Sequence, residues 1–108
     1  MANIYKNAFF DPSDTANTVV YATDNLTRAI IQNIQVTNEG GSKIVRAYVF
    51  DSSNSNTATQ IAYANISGPT ICNIAKGPII LEESDTLVLS SSDTSGISAT
   101  VSILEVNR

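Results

Sequence analysis

Residues 97–106 read Ile97-Ser98-Ala99-Thr100-Val101-Ser102-Ile103-Leu104-Glu105-Val106. Ile97, Ala99, Val101 and Ile103 alternate with Ser98, Thr100 and Ser102, the two-residue period of a strand with one face buried and the other wet. On a helix the same apolar residues would be scattered round the circumference. Other segments carry related patterns. Over residues 26–38 the even positions, Leu26, Arg28, Ile30, Gln32, Ile34 and Val36, form the greasier face. Over residues 43–51, Val45, Ala47 and Val49 alternate with Ile44, Arg46, Tyr48 and Phe50, so both faces are apolar and one is expected to meet another subunit. Between these two segments, Asn38-Glu39-Gly40-Gly41-Ser42 predicts a hairpin turn. Residues 4–10, 18–23, 60–66, 70–75, 79–82 and 86–90 are also strand-like, with Ile61 and Tyr63 on one side of their strand. Gly68-Pro69 and Gly77-Pro78 punctuate the chain, and the polar tract at residues 51–57 predicts an exposed loop tip.

Composition points the same way. Thirteen Ile, eight Val and eleven Thr stand against five Leu, a bias towards side chains that suit a pleated surface. The length of 108 residues suits one core. About eight or nine short strands in a single domain, residues 1–108, predict an antiparallel, jelly-roll-like β-sandwich.

Charge and residue type narrow the function. Six Lys plus Arg oppose ten Asp plus Glu, giving a net charge of -4 without a basic run, so nucleic acid is not an expected ligand. Histidine is absent, which removes the usual general base and the Ser-His-Asp arrangement. Cys72 is the single cysteine, and between Ile71 and Ile74 it reads as a small semi-buried hydrophobe. Neither a signal peptide nor a run of apolar residues long enough for a membrane span is evident, so the chain reads as soluble and unprocessed.

The remaining candidates are weighed residue by residue. Glu82, Glu83 and Asp85 carry ligand oxygens, but neighbours on a strand point to opposite faces, so they read as a turn with solvated charges. Asp51, Ser53, Asn54, Ser55 and Asn56 lack the central Gly and closing Glu of a calcium loop and read as a plain loop. Asn25-Leu26-Thr27 and Asn65-Ile66-Ser67 are chance matches to the glycosylation pattern. No catalytic, metal or cofactor site is expected. Arg28 and Arg46 lie inside apolar strands and must be exposed or paired, as outward charge, edge protection or salt bridges to a neighbouring subunit. Tyr5, Tyr21, Tyr48 and Tyr63 combine apolar area with a polar tip, a trait enriched at interfaces. Phe9 and Phe10 form a large apolar pair near the N-terminus, and residues 1–14 are expected to serve as an exchangeable arm. The expected interface set is Tyr5, Phe9, Phe10, Arg28, Arg46 and Tyr48.

The segments Ile4-Tyr5-Lys6-Asn7, Thr18-Val19-Val20-Tyr21, residues 29–38 and Gly77-Pro78-Ile79-Ile80-Leu81-Glu82-Glu83-Ser84-Asp85-Thr86-Leu87, with Leu104-Glu105 near the end, resemble small virion structural proteins of tailed bacteriophages, particularly those of marine bacteria and cyanobacteria. The sequence departs from that pattern at Ser84, where the turn usually has Gly. The resemblance implies a non-enzymatic β-sandwich located in the virion, a homo-oligomer acting as a capsid decoration or cement protein on the major capsid protein. A neck, tail or fibre ring is the alternative place in the particle. A carbohydrate-binding module is a rival from another class, poorly equipped with 6% aromatics and no Trp.

Overall fold

The computed structural model describes residues 3–55 and 57–107; Met1 and Ala2 of the N-terminal segment and Asn56 of the polar loop lie outside the described residues. Among the described residues nine strands follow one another: β1 (Asn3–Phe10), β2 (Thr18–Ala22), β3 (Thr27–Asn38), β4 (Ser42–Asp51), β5 (Thr57–Ser67), β6 (Thr70–Asn73), β7 (Ile79–Leu81), β8 (Thr86–Ser91) and β9 (Ile97–Asn107). Among the described residues one 3-10 turn occurs, Ser52–Asn54 after β4, with the Asp51 carboxylate accepting from the Ser53 amide.

The strands form two antiparallel sheets. Sheet I has the order β1-β9-β3-β6, with β7 also on β3; sheet II has the order β2-β8-β4-β5. Since β6 and β7 pair with successive stretches of β3, they are one strand position broken in two. Counted that way, the fold has eight strand positions in two four-stranded sheets, the jelly-roll order. The alternation in residues 97–103 becomes the buried face of β9, which lies between β1 and β3 in sheet I.

Three local expectations need correction. The Asn38–Ser42 turn is not a hairpin, because β3 belongs to sheet I and β4 to sheet II, and the turn carries the chain across the sandwich. In β3 neither the even nor the odd set faces inward throughout: Thr27, Ala29 and Ile31 are buried, then Ile34, Val36 and Asn38. A bulge between Ile31 and Asn33 adds one residue and moves the buried face from one parity to the other. Opposite this bulge the Asn73 side chain accepts from the Ile34 amide at 3.0 Å and the Ala75 amide at 3.1 Å, where β6 ends. Lastly, Ile61 and Tyr63 do not share a side. Ile61 has no partner on β4 and packs against the core, while Tyr63 stays on the outer surface.

The core comprises Phe10, Ile31, Ile34, Val36, Val45, Leu81, Leu87, Leu89, Val101 and Ile103 with smaller neighbours, and full burial of each large side chain stabilises the fold by about 1.5–3 kcal/mol. Each end of the slab is closed by one buried charged residue. At the start of β4, the Lys43 ammonium donates to Asn38 Oδ1 (2.8 Å), the Gly40 carbonyl (2.6 Å) and the Gly96 carbonyl (3.4 Å). Asn38 in turn donates to the carbonyls of Gly41 and Gly68, both at 3.0 Å, so turns from both sheets meet there. Gly96 has φ +68°, and a Cβ on it would lie 3.2 Å from the Lys43 ammonium, so both backbone and space call for glycine.

Past the other end of β4, Asp85 is buried and accepts from the amides of Ser52 and Glu82, both at 3.0 Å. This corrects the expectation of a wholly solvated acidic turn: Asp85 braces three connections, because Thr23 Oγ1 also accepts its amide at 3.0 Å. Ser84 takes φ 65°, so the left-handed turn forms without the usual glycine.

Candidate functional site

The outer face of sheet I follows from the register. Tyr5 lies opposite Leu104, Leu104 opposite Ile30, and Ile30 opposite Ile80. Directly opposed residues share a face, so these four side chains form an apolar row across β1, β9, β3 and β7. Tyr5 is 74% exposed and Ile80 64%, with half-buried Leu104 and Ile30 between them. The next rows are polar or mixed: Asn7 pairs with Ser102, and Phe9, 67% exposed, with Thr100. A shallow groove of about 290 Å³ beside the row is lined by Tyr5, Lys6, Asn7, Gln32, Ser102 and Ile103.

The expected interface residues divide between several surroundings. Tyr5 and Phe9 stand on the outer face of sheet I. Phe10 is 2% exposed and sits in the core, so it offers no surface. Residues 3–10 are paired along β9 of the same chain. Arg28, beside the row, is bound within the chain to Glu83 at 3.1 Å. Arg46 lies on sheet II, its guanidinium 5.2 Å from the centre of the Tyr63 ring, with half-buried Tyr48 further along β4. Of the six, the fold brings only Tyr5, Phe9 and Arg28 to one face. Ile30, Ile80 and Leu104 complete that face and were not singled out by local sequence pattern.

A small charged cluster bridges the two sheets at one side. Tyr21 of β2 donates to Glu105 of β9, which also pairs with Lys6 of β1 at 3.3 Å. Burial first, then this hydrogen bond and the nearby charges of Glu105 and Asp24, push the Tyr21 phenol well above its ordinary value. Asp24, exposed in the β2–β3 connection, is held below the usual carboxylate range by accepting the Leu26 amide and a bond from Thr27. Among the described residues no three His, Cys, Asp or Glu side chains come together as metal ligands. Cys72 is half-buried against the core. The chemistry offered by the sheet I face is apolar contact bordered by amide and hydroxyl groups.

The strand order and this face define a jelly-roll β-sandwich with one apolar row on an outer surface. No family model matches the sequence, and no curated protein matches it. Several solved structures share the fold. The core of Drosophila NLP is similar with a TM-score of 0.55 and 12% identity, over 99% of this chain and 100% of that one. A protein of the Bacillus endospore appendages, which are disulfide-linked pili, gives 0.54 and 8%, over 95% and 85%. A chain of infectious bursal disease virus, Gx strain, gives 0.53 and 11%; it matches 96% of this chain, which spans 29% of the viral one. At such low identity these likenesses establish the fold, and function has to be argued from the site.

Proposed function

We propose that this chain is a non-enzymatic structural protein of a virus particle, a decoration or cement protein that bridges shell subunits and docks through the outer face of sheet I. The observation that carries the reading is the row Tyr5, Leu104, Ile30 and Ile80, an apolar band across a jelly roll's outer surface with exposed tyrosine and isoleucine at its ends. Exposed apolar area of this kind, rimmed by polar side chains, suits a protein partner. Jelly rolls are a common architecture of viral shells, and the fold likeness to the bursal disease virus chain agrees with this. Two other structures alike in fold come from assemblies, the NLP core from a pentamer and the appendage protein from pili. Self-association accompanies this docking role without being required by it; residues 3–10, the described part of the expected arm, pair along β9 of their own chain and leave Phe9 exposed for the shell contact. Repetition of a modest contact over a lattice supplies avidity, so no single residue need anchor strongly.

The test is quantitative mass spectrometry of purified virions from the cognate virus. A copy number comparable with that of the shell protein is expected. A few copies per particle would move the protein to a neck, tail or fibre ring, and absence from the particle would overturn the reading. Tyr5→Ser with Ile80→Ser should retain the native melting temperature, because both side chains are exposed, yet fail to co-sediment with shells.

A further inference from the structure

We infer that the free edge of β5 pairs with β5 of a second copy, joining two sheets II into one continuous eight-stranded sheet. An open sheet edge presents unpaired amides and carbonyls, and proteins normally guard such edges with charge, proline, brevity or bulges. Three of the four edges here are guarded. β1 carries Lys6, paired with Glu105. β2 has five residues and a bulge between Val19 and Tyr21. β6 and β7 have four and three residues, and Pro78 stands just before β7.

β5 differs from these edges. It is eleven residues long, Thr-Ala-Thr-Gln-Ile-Ala-Tyr-Ala-Asn-Ile-Ser, without a charged residue, proline or glycine, and among the described residues it pairs only with β4. Its one irregularity, at Ile61, leaves residues 62–67 in regular pairing with β4.

The occupant follows from that regular stretch. Antiparallel two-fold pairing centred on Ala64 sets Ala64 against itself, Ala62 against Ile66 of the second copy, and Tyr63 against its Asn65. The core-facing positions then remain together on one side, and the polar-tipped positions on the other. Ala64 packs against the core but is only half-buried, so a second strand supplies cover it lacks. Electrostatics do not oppose self-association at this edge: the net charge of -4 is carried by other parts of the chain, and β5 brings no charge to meet its own copy. Arg46 lies one strand further in, so the two guanidinium-bearing strands would be three strand spacings apart, about 14 Å, beyond the screening length at physiological salt.

This inference rests on the structural-protein reading only in expecting many copies close together, and the two fail separately. A dimer absent from virions overturns that reading and leaves the β5 contact standing; a monomer that decorates shells does the reverse. The experiment begins with sedimentation equilibrium of the native chain, expected to show twice the protomer mass. Ala64→Lys and Ala64→Glu should each sediment as monomers, and their equimolar mixture should recover the dimer. In a Cys72→Ser background, Ala64→Cys should form a disulfide-linked dimer under mild oxidation, since self-opposed positions lie within about 4.5–5.5 Å, whereas Tyr5→Cys should not. If the Ala64 variants fail to fold, Asn65→Lys at an exposed position carries the test, with an expected rise of about tenfold or more in dimer Kd. A native chain that is monomeric at about 1 mM, or a dimer that a folded Ala64→Lys or Asn65→Lys variant leaves intact, overturns the inference.

Discussion

Replacing Lys43 by methionine keeps the length and most of the apolar stem of the side chain but removes the ammonium that closes one end of the sandwich. Three acceptors lose their donor: Asn38 Oδ1, the Gly40 carbonyl and the Gly96 carbonyl. Hydrogen bonds to a charged group contribute about 1.5–3 kcal/mol each, a gross loss of roughly 5–9 kcal/mol. Against this stands the several kcal/mol of ammonium desolvation that the variant no longer incurs, leaving a net destabilisation of about 2–4 kcal/mol. Unfolding entropy is about 2.1 cal/mol/K per residue, or about 0.23 kcal/mol/K over 108 residues, so the melting temperature should fall by about 9–18 °C. The assay is thermal unfolding followed by near-ultraviolet circular dichroism, at one fixed protein concentration because self-association shifts the midpoint. Lys43→Arg should recover little, since a planar fork does not fit acceptors arranged around a point charge. A fall of less than about 4 °C for Lys43→Met would refute the claim that this buried cation organises the turns.

The other end of the slab gives a parallel expectation. Asp85→Ala strips acceptors from the Ser52 and Glu82 amides and should lower stability by about 2–4 kcal/mol in urea titrations, whereas Glu82→Gln, exposed and nearby, should change it by less than about 0.5 kcal/mol. Ser84→Gly should stabilise the chain by about 1 kcal/mol in the same assay, because a side chain at φ 65° is disfavoured. The Tyr21 phenol is raised in the folded state, so its contribution is fully present below pH 10 and is lost as the pH climbs beyond that. Chemical denaturation between pH 8 and pH 12 should therefore show a decline that is smaller in Tyr21→Phe. Asp24 has the opposite sign: its lowered value makes its contribution present above the usual carboxylate range and lost on acidification, and Asp24→Asn should flatten the acid limb.

Much of the fold was legible because burial on a strand is periodic. Ile97, Ala99, Val101 and Ile103 are the buried residues of β9 that their alternation announced. β3 was misread because a bulge inserts one residue without changing polarity; the clue available was isoleucine on both parities, Ile31 as well as Ile34. The supposed hairpin after Asn38 failed for a related reason, since turn composition says that the chain reverses but not whether it remains in the same sheet. Lys43 and Asp85 are residue types that normally mark surface, and they are buried only because turns distant in sequence converge on them. The apolar row was illegible for the same reason: Tyr5, Ile30, Ile80 and Leu104 come from four strands far apart in the chain, and only register aligns them. Single residues did carry partial information, as exposed Tyr5 and Phe9 show.

The break between β6 and β7 has a use outside assembly. Lys76, Gly77 and Pro78 are exposed and belong to neither strand, while Asn73 secures the frame on one side of the gap and the β7 pairing with β3 secures it on the other. Extra peptide spliced in at this point would leave both ladders as they are. If copies of the chain tile a surface, a tag or epitope inserted there would be displayed once per copy, at a spacing set by the lattice.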